Sequence, residues 1–143
     1  MEFVESWNYL GFHVSSEKGF SFNVTKDLTS FYRSSNSVIN ALYKPSEEVL
    51  MRLLFTNCVP VLTYGCEVKT LLAKDMHKMN VAINDSIRKI FGWHRWESVR
   101  TLRMSFNYPD IYKIFAMRRK GFLASLKSVK NTVLKSLVSL NQI

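Results

Sequence analysis

Three prolines and five glycines are all that punctuate 143 residues, and this scarcity of turn-forming residues constrains the fold more than any other feature. A β-sandwich or barrel needs a turn roughly every 8–12 residues, and the material for so many is missing. What lies between the breaks is apolar sequence at three- and four-residue spacing, the period of a helix with one buried face. From Thr25 the spacing runs Leu28, Phe31 or Tyr32, Ser35, Val38 or Ile39, and Leu42. Thr25 or Asp27 can cap this helix, and Pro45 stops it. Ser46-Glu47-Glu48 opens a second helix with acids in the first turn, where the helix dipole favours them, and Val49, Leu50, Leu53 and Leu54 form its stripe. Pro60 either ends it or kinks it so that Val61 and Leu62 can lie buried. Tyr64-Gly65-Cys66-Glu67 reads as a turn.

Asp75 is placed to cap a third helix with Met76, Met79, Ile83, Ile87 and Ile90 on one face and Lys78, Arg88 and Lys89 on the other. Gly92 supplies the left-handed residue just past its end. Trp96 to Met104 reads as a short basic helix. Pro109 sits in the first turn of a longer one reaching about Leu126, with Ile111, Phe115, Phe122 and Leu126 inward and Lys113, Arg118, Arg119 and Lys120 outward. Before Thr25 the period is two. Trp7 to Val14 reads as a strand, Ser15 to Gly19 as a turn, and Phe20 to Val24 as the return strand. The expected fold is therefore mainly α: a helical bundle (25–126) preceded by a short β-hairpin (1–24) and followed by a helical tail (127–143) spaced on Val129, Val133, Leu137 and Leu140.

Charge divides the chain. Residues 1–67 carry five Lys/Arg against seven Asp/Glu, a net −2, whereas residues 68–143 carry fifteen against four, a net +11. An excess this lopsided repels itself unless a polyanion offsets it, and nucleic acid is the commonest such partner. The alternative is an ordinary solvated face. No apolar run reaches the roughly 18 residues of a membrane span, and no signal peptide is expected from the acidic opening Met1-Glu2-Phe3-Val4-Glu5. Cys58 and Cys66 are compatible with reduced thiols or one disulfide.

Catalytic constellations are not evident. His13, His77 and His94 are scattered, the cysteines lack metal spacing, and there is no phosphate-cradling glycine loop or nucleophile elbow. The adjacent acids Glu47-Glu48 suit a helix start better than a metal site. No catalytic residue, metal or cofactor is expected. The positive signal is the segment from Ile87 to Arg103, where Arg88, Lys89, Arg95, Arg100 and Arg103 interleave with Phe91, Trp93, His94 and Trp96. Guanidinium groups grip phosphates in a forked geometry. The rings are either flat platforms for bases or, more commonly for residues this large, core. Arg118-Arg119-Lys120 is a second basic patch, too short to be a localisation signal.

The order of motifs resembles the C-terminal part of LINE-type (non-LTR) retrotransposon reverse transcriptases. Tyr9-Leu10-Gly11 is similar to their YLG block. Val59-Pro60-Val61-Leu62-Thr63-Tyr64-Gly65-Cys66-Glu67-Val68 looks like the P-x-L-x-Y-G-x-E-x-W block, and Asn84 to Gly92 the lR-x-i-x-g segment. Together these span about residues 7–126. The resemblance implies a primer grip at Tyr9, Leu10 and Gly11 and a helical thumb that holds the template–primer duplex, RNA–DNA hybrid or duplex DNA, by its backbone. Arg88, Lys89, Arg95, Arg100, Arg103, Arg118, Arg119 and Lys120 would contact phosphates. It also implies that the paired metal-binding aspartates of the palm lie upstream of Met1, so that this chain would be a non-catalytic fragment whose partners include palm and fingers domains, with no membrane. A polymerase of this kind works at nuclear DNA. The sequence departs from the family at Lys69, near where the family has tryptophan. The rival expectations are a protein-interaction module whose helix faces at 46–55 and 76–90 dock on a partner, or a decayed element copy without function.

Overall fold

The computed structural model describes residues 6–9, 12–15, 24–41, 43–128 and 136. Their architecture is mainly helical. Six α-helices follow one another: α1 (Val24–Ile39), α2 (Glu47–Leu53), α3 (Val59–Leu62), α4 (Ala73–Phe91), α5 (Arg100–Ser105) and α6 (Ile111–Ser128). α2 and α3 are joined by the π-helical turn Leu54–Cys58. One core collects Phe31 from α1, Met51 and Leu54 from the α2 rod, Leu62 from α3, Met79, Ile83 and Ile87 from α4, Val99 from the loop before α5, and Ile111 from α6. Burying a large aliphatic side chain is worth about 1.5–3 kcal/mol, so this cluster is what holds α1, α4 and the α2–α3 rod together.

The helix breaks have identifiable causes. Pro60 has no N–H to continue an α ladder. The chain meets it with a wider turn in which the Val59 amide bonds back to the Leu54 carbonyl, five residues earlier. Pro60 therefore kinks the helix without ending it. Leu62 is buried beyond the kink, as expected, but Val61 is exposed. Within the second helix Leu50 and Leu54 are buried together with Met51, while Val49 faces out. α4 ends as read: Gly92 has φ +64°, the Trp93 amide bonds to the Arg88 carbonyl at 2.9 Å and the Gly92 amide to the Lys89 carbonyl at 3.4 Å, a Schellman closure. α5 closes the same way with Asn107 at φ 56° in the glycine position, a conformation Asn tolerates better than most residues.

Several expectations are corrected. Of the turn expected at Ser15–Gly19, Ser15 ends a strand and the rest lies outside the described residues. Ser6–Tyr9 and Phe12–Ser15 pair antiparallel, with Tyr9 opposite Phe12, inside the stretch read as one strand. That reading ran through Gly11, a strong turn signal. The proposed return strand ended at Val24, which is the first residue of α1; its other residues, 20–23, lie outside the described residues. Asp75 does not cap α4. Helix begins at Ala73 after an extended Leu72, and Asp75 sits in its first turn, 3.9 Å from Lys78. α6 begins after Asp110, whose carboxylate accepts the Lys113 amide at 2.8 Å, so Pro109 precedes the cap and is not in the first turn. The short basic helix starts at Arg100, with Trp96 in the loop before it. The tail at 127–143 lies outside the described residues apart from Lys127 and Ser128 at the end of α6 and Ser136.

Lys69 is buried. Its ammonium meets the Asp27 carboxylate of α1 at 2.8 Å, with side-chain exposures of 4% and 20%. Cys58 and Cys66 are both buried and both free. No helix among the described residues is long and apolar enough to cross a membrane.

Candidate nucleic-acid interface

The basic residues singled out from the sequence fall into three neighbourhoods. The first is the C-terminal end of α4 and the loop after it. Arg88, Lys89 and Arg95 line a pocket of about 310 Å³ together with Tyr32, Asp85, Gly92 and Trp93. Arg88 is held from two sides: its Nη1 donates to Asp85 at 2.9 Å and its Nε donates to the Glu97 carbonyl at 3.0 Å. Lys89 is exposed and reaches Asn36 of α1 at 3.2 Å. Arg95 is exposed. The Tyr32 phenol on the opposite wall is pushed above its ordinary pKa, chiefly by burial and then by Asp85, with Arg95 opposing, so it stays a neutral donor.

The second neighbourhood is α5. Arg100 is exposed at its start, whereas Arg103 is half-buried and donates to Asn80 of α4 at 3.3 Å. Burial lowers the Arg103 pKa and Asp110 partly restores it; guanidinium remains a cation at any ordinary pH. Arg103 also borders a pocket of about 430 Å³ with Tyr108 and Lys113. The third is α6. Arg118 donates to the Thr63 carbonyl at 3.4 Å and pairs with Glu67 at 3.5 Å, tying α6 to the turn after α3. Arg119 and Lys120 are exposed. The two pockets share no lining residue.

The eight cations thus divide by what they touch. Arg88, Lys89, Arg103 and Arg118 each reach across to another element or to the loop following their own helix, and so help shape the fold. The side chains of Arg95, Arg100, Arg119 and Lys120 hold no ion pair among the described residues. Sequence spacing cannot make this division, because it depends on which carbonyls and carboxylates the tertiary fold brings near. Two polar partners, Asn36 and Glu97, were not singled out from sequence for the same reason.

The core expectation holds for Phe91 and fails for Trp93 and Trp96. Phe91 packs against the core, tilted on Phe106 at 6.1 Å. Trp93 is 37% and Trp96 80% exposed. Of the proposed primer grip, Tyr9 ends the first strand, and Leu10 and Gly11 lie outside the described residues. Among the described residues no group of three or more His, Cys, Asp or Glu comes together to hold a metal. Compared with protein-family models, curated proteins and solved structures, the chain matches none.

Proposed function

We propose that the basic half of this chain binds a nucleic-acid duplex through its phosphate backbone, without sequence preference, as the thumb of a LINE-type reverse transcriptase holds a template–primer duplex. The observation that carries this reading is the net +11 of residues 68–143, with Arg95, Arg100, Arg119 and Lys120 exposed. Cations fixed on helix ends and loops, with other arginines bracing those elements from behind, can track phosphates while letting the duplex slide. The role is binding, with no catalytic step assigned to these residues. RNA–DNA hybrid and duplex DNA both present the required backbone.

A second reading has its own support. Tyr64, Val68 and Leu72 expose large apolar surface around the turn after α3, which suits docking against another domain such as a palm.

Binding of the purified chain to an RNA–DNA hybrid of about 12 base pairs, followed by fluorescence anisotropy across a salt series, tests the first reading. Each phosphate contact contributes about −0.9 to the log–log slope, so three or four contacts give a slope near about −3. Arg95→Glu with Arg100→Glu should weaken binding roughly tenfold or more at low salt. A flat salt response, or unchanged binding by the double variant, would overturn it. Salt-insensitive self-association would favour the docking reading.

A further inference from the structure

The loop from Trp93 to Glu97 displays a ring pair that core packing does not account for. Trp96 is 80% exposed, yet its ring lies flat against His94, with centroids 4.6 Å apart and planes 6° from parallel. An indole left to itself would fold back onto apolar surface; here the loop holds it outward. The loop is well braced. The Trp93 amide closes on the Arg88 carbonyl at 2.9 Å, the His94 amide donates to the Glu97 carboxylate at 2.9 Å, and the Glu97 amide donates to the His94 carbonyl at 3.1 Å. Arg88 adds the bond to the Glu97 carbonyl from behind.

His94 covers one face of Trp96 and leaves the other to solvent. Arg95, between the two stacked residues in sequence, is exposed and shares with Lys89 and Trp93 the lining of the 310 Å³ pocket beside them. That volume is at the small end for a ligand site and far below what a duplex occupies. An exposed aromatic face with cations at hand suits a single base and its phosphate, because every base has a π-face and stacking tolerates any sequence.

We propose that this loop is a stacking platform for one unpaired nucleobase, which lies on the open face of Trp96 with its adjoining phosphate at Arg95 and Lys89. The proposal rests on the reading of the basic half as a nucleic-acid surface and goes further. It assigns the protein a preference for duplex ends that carry a single-stranded extension.

The test compares a blunt RNA–DNA hybrid of about 12 base pairs with the same hybrid bearing a single-stranded extension of about four nucleotides, by anisotropy at one low salt concentration. The extension is expected to tighten binding roughly fivefold or more, the lower end of what one stacked base contributes. Trp96→Ala should abolish that gain and leave blunt-end binding unchanged, with its circular dichroism spectrum intact, and Trp96→Phe should keep part of it. A 2-aminopurine in the extension should be quenched by the wild type and not by Trp96→Ala. If the wild type binds both hybrids equally while retaining its salt dependence, the platform is wrong and backbone binding stands. If neither hybrid binds, both fall. A gain that survives Trp96→Ala overturns the platform, as does Trp96-dependent dimerisation in sedimentation, because the ring's partner would then be a second copy of the chain.

Discussion

Replacing Lys69 by methionine isolates a buried ion pair that fastens α1 to the turn after α3. The Lys69 ammonium and the Asp27 carboxylate meet at 2.8 Å, with side-chain exposures of 4% and 20%. Methionine keeps most of the lysine stem's apolar contact and removes the charge, so the chief cost is a carboxylate left without its partner. Removing one member of a fully buried pair costs about 3–5 kcal/mol. Asp27 keeps a fifth of its surface in water, which places the expected loss lower, near about 2–3 kcal/mol. For a domain of this size that is a fall in Tm of roughly 5–10 °C. The partner variant Asp27→Leu removes the carboxylate from beside the more deeply buried ammonium and should cost a comparable amount. The combined variant leaves no orphaned charge and should recover most of the loss, giving a coupling of about 1–3 kcal/mol. Thermal and urea unfolding followed by circular dichroism measure all four corners of this cycle. Additive losses, or a Lys69→Met variant within about 0.5 kcal/mol of the wild type, would show that the pair is incidental and that the apolar cluster alone docks α1.

Arg88→Ala should loosen the loop from Trp93 to Glu97 by about 1–2 kcal/mol, since it removes both the Asp85 pair and the bond to the Glu97 carbonyl; faster hydrogen exchange at the His94 and Glu97 amides with α4 still protected is the expected result, and unchanged exchange would refute the bracing role. Stability should also fall at alkaline pH. Burial, and then Glu67, push the Cys66 thiol above its ordinary value against the opposing pull of Arg118, so its contribution is whole below about pH 8.5 and is lost as pH rises through the ordinary thiol range toward the raised folded value. Urea midpoints between about pH 8 and 10 should decline in the wild type and decline less in Cys66→Ala; equal slopes would remove Cys66 as the cause.

The fold was most legible where a local rule decided the outcome. The spacing of Met79, Ile83, Ile87 and Ile90 defined the buried face of α4, and Gly92 its end, because both depend on helix geometry within a few residues. Boundaries set by competition were missed. Asp75 and Asp110 are both plausible caps by residue type, and only the second accepts an amide at its helix start. The candidate site was legible as a composition and not as an arrangement. Nothing local distinguishes Arg88, Arg103 and Arg118, which reach Glu97, Asn80 and Thr63, from Arg95 and Arg100, which point to water. Trp96 was taken for core on the general tendency of large rings, which a braced turn can override. Nothing local marks Lys69 as buried, because its burial rests on a carboxylate 42 positions away.

The wide turn before Pro60 has a consequence for how the α2–α3 rod meets its neighbours. Leu50, Leu54, Cys58 and Leu62 are all buried and spaced four apart without exception. In an uninterrupted α-helix, at 3.6 residues per turn, a four-residue step advances about 40° around the axis, and three such steps wind about 120° away from the starting direction. One wider turn in the middle of the run takes up part of that drift. The four side chains can then form a nearly straight seam against α1 in place of a spiral that would leave the core. A single-residue deletion within 54–58 would restore the ordinary pitch and rotate everything after it out of line, so this segment acts as a phase corrector whose length matters more than its individual side chains.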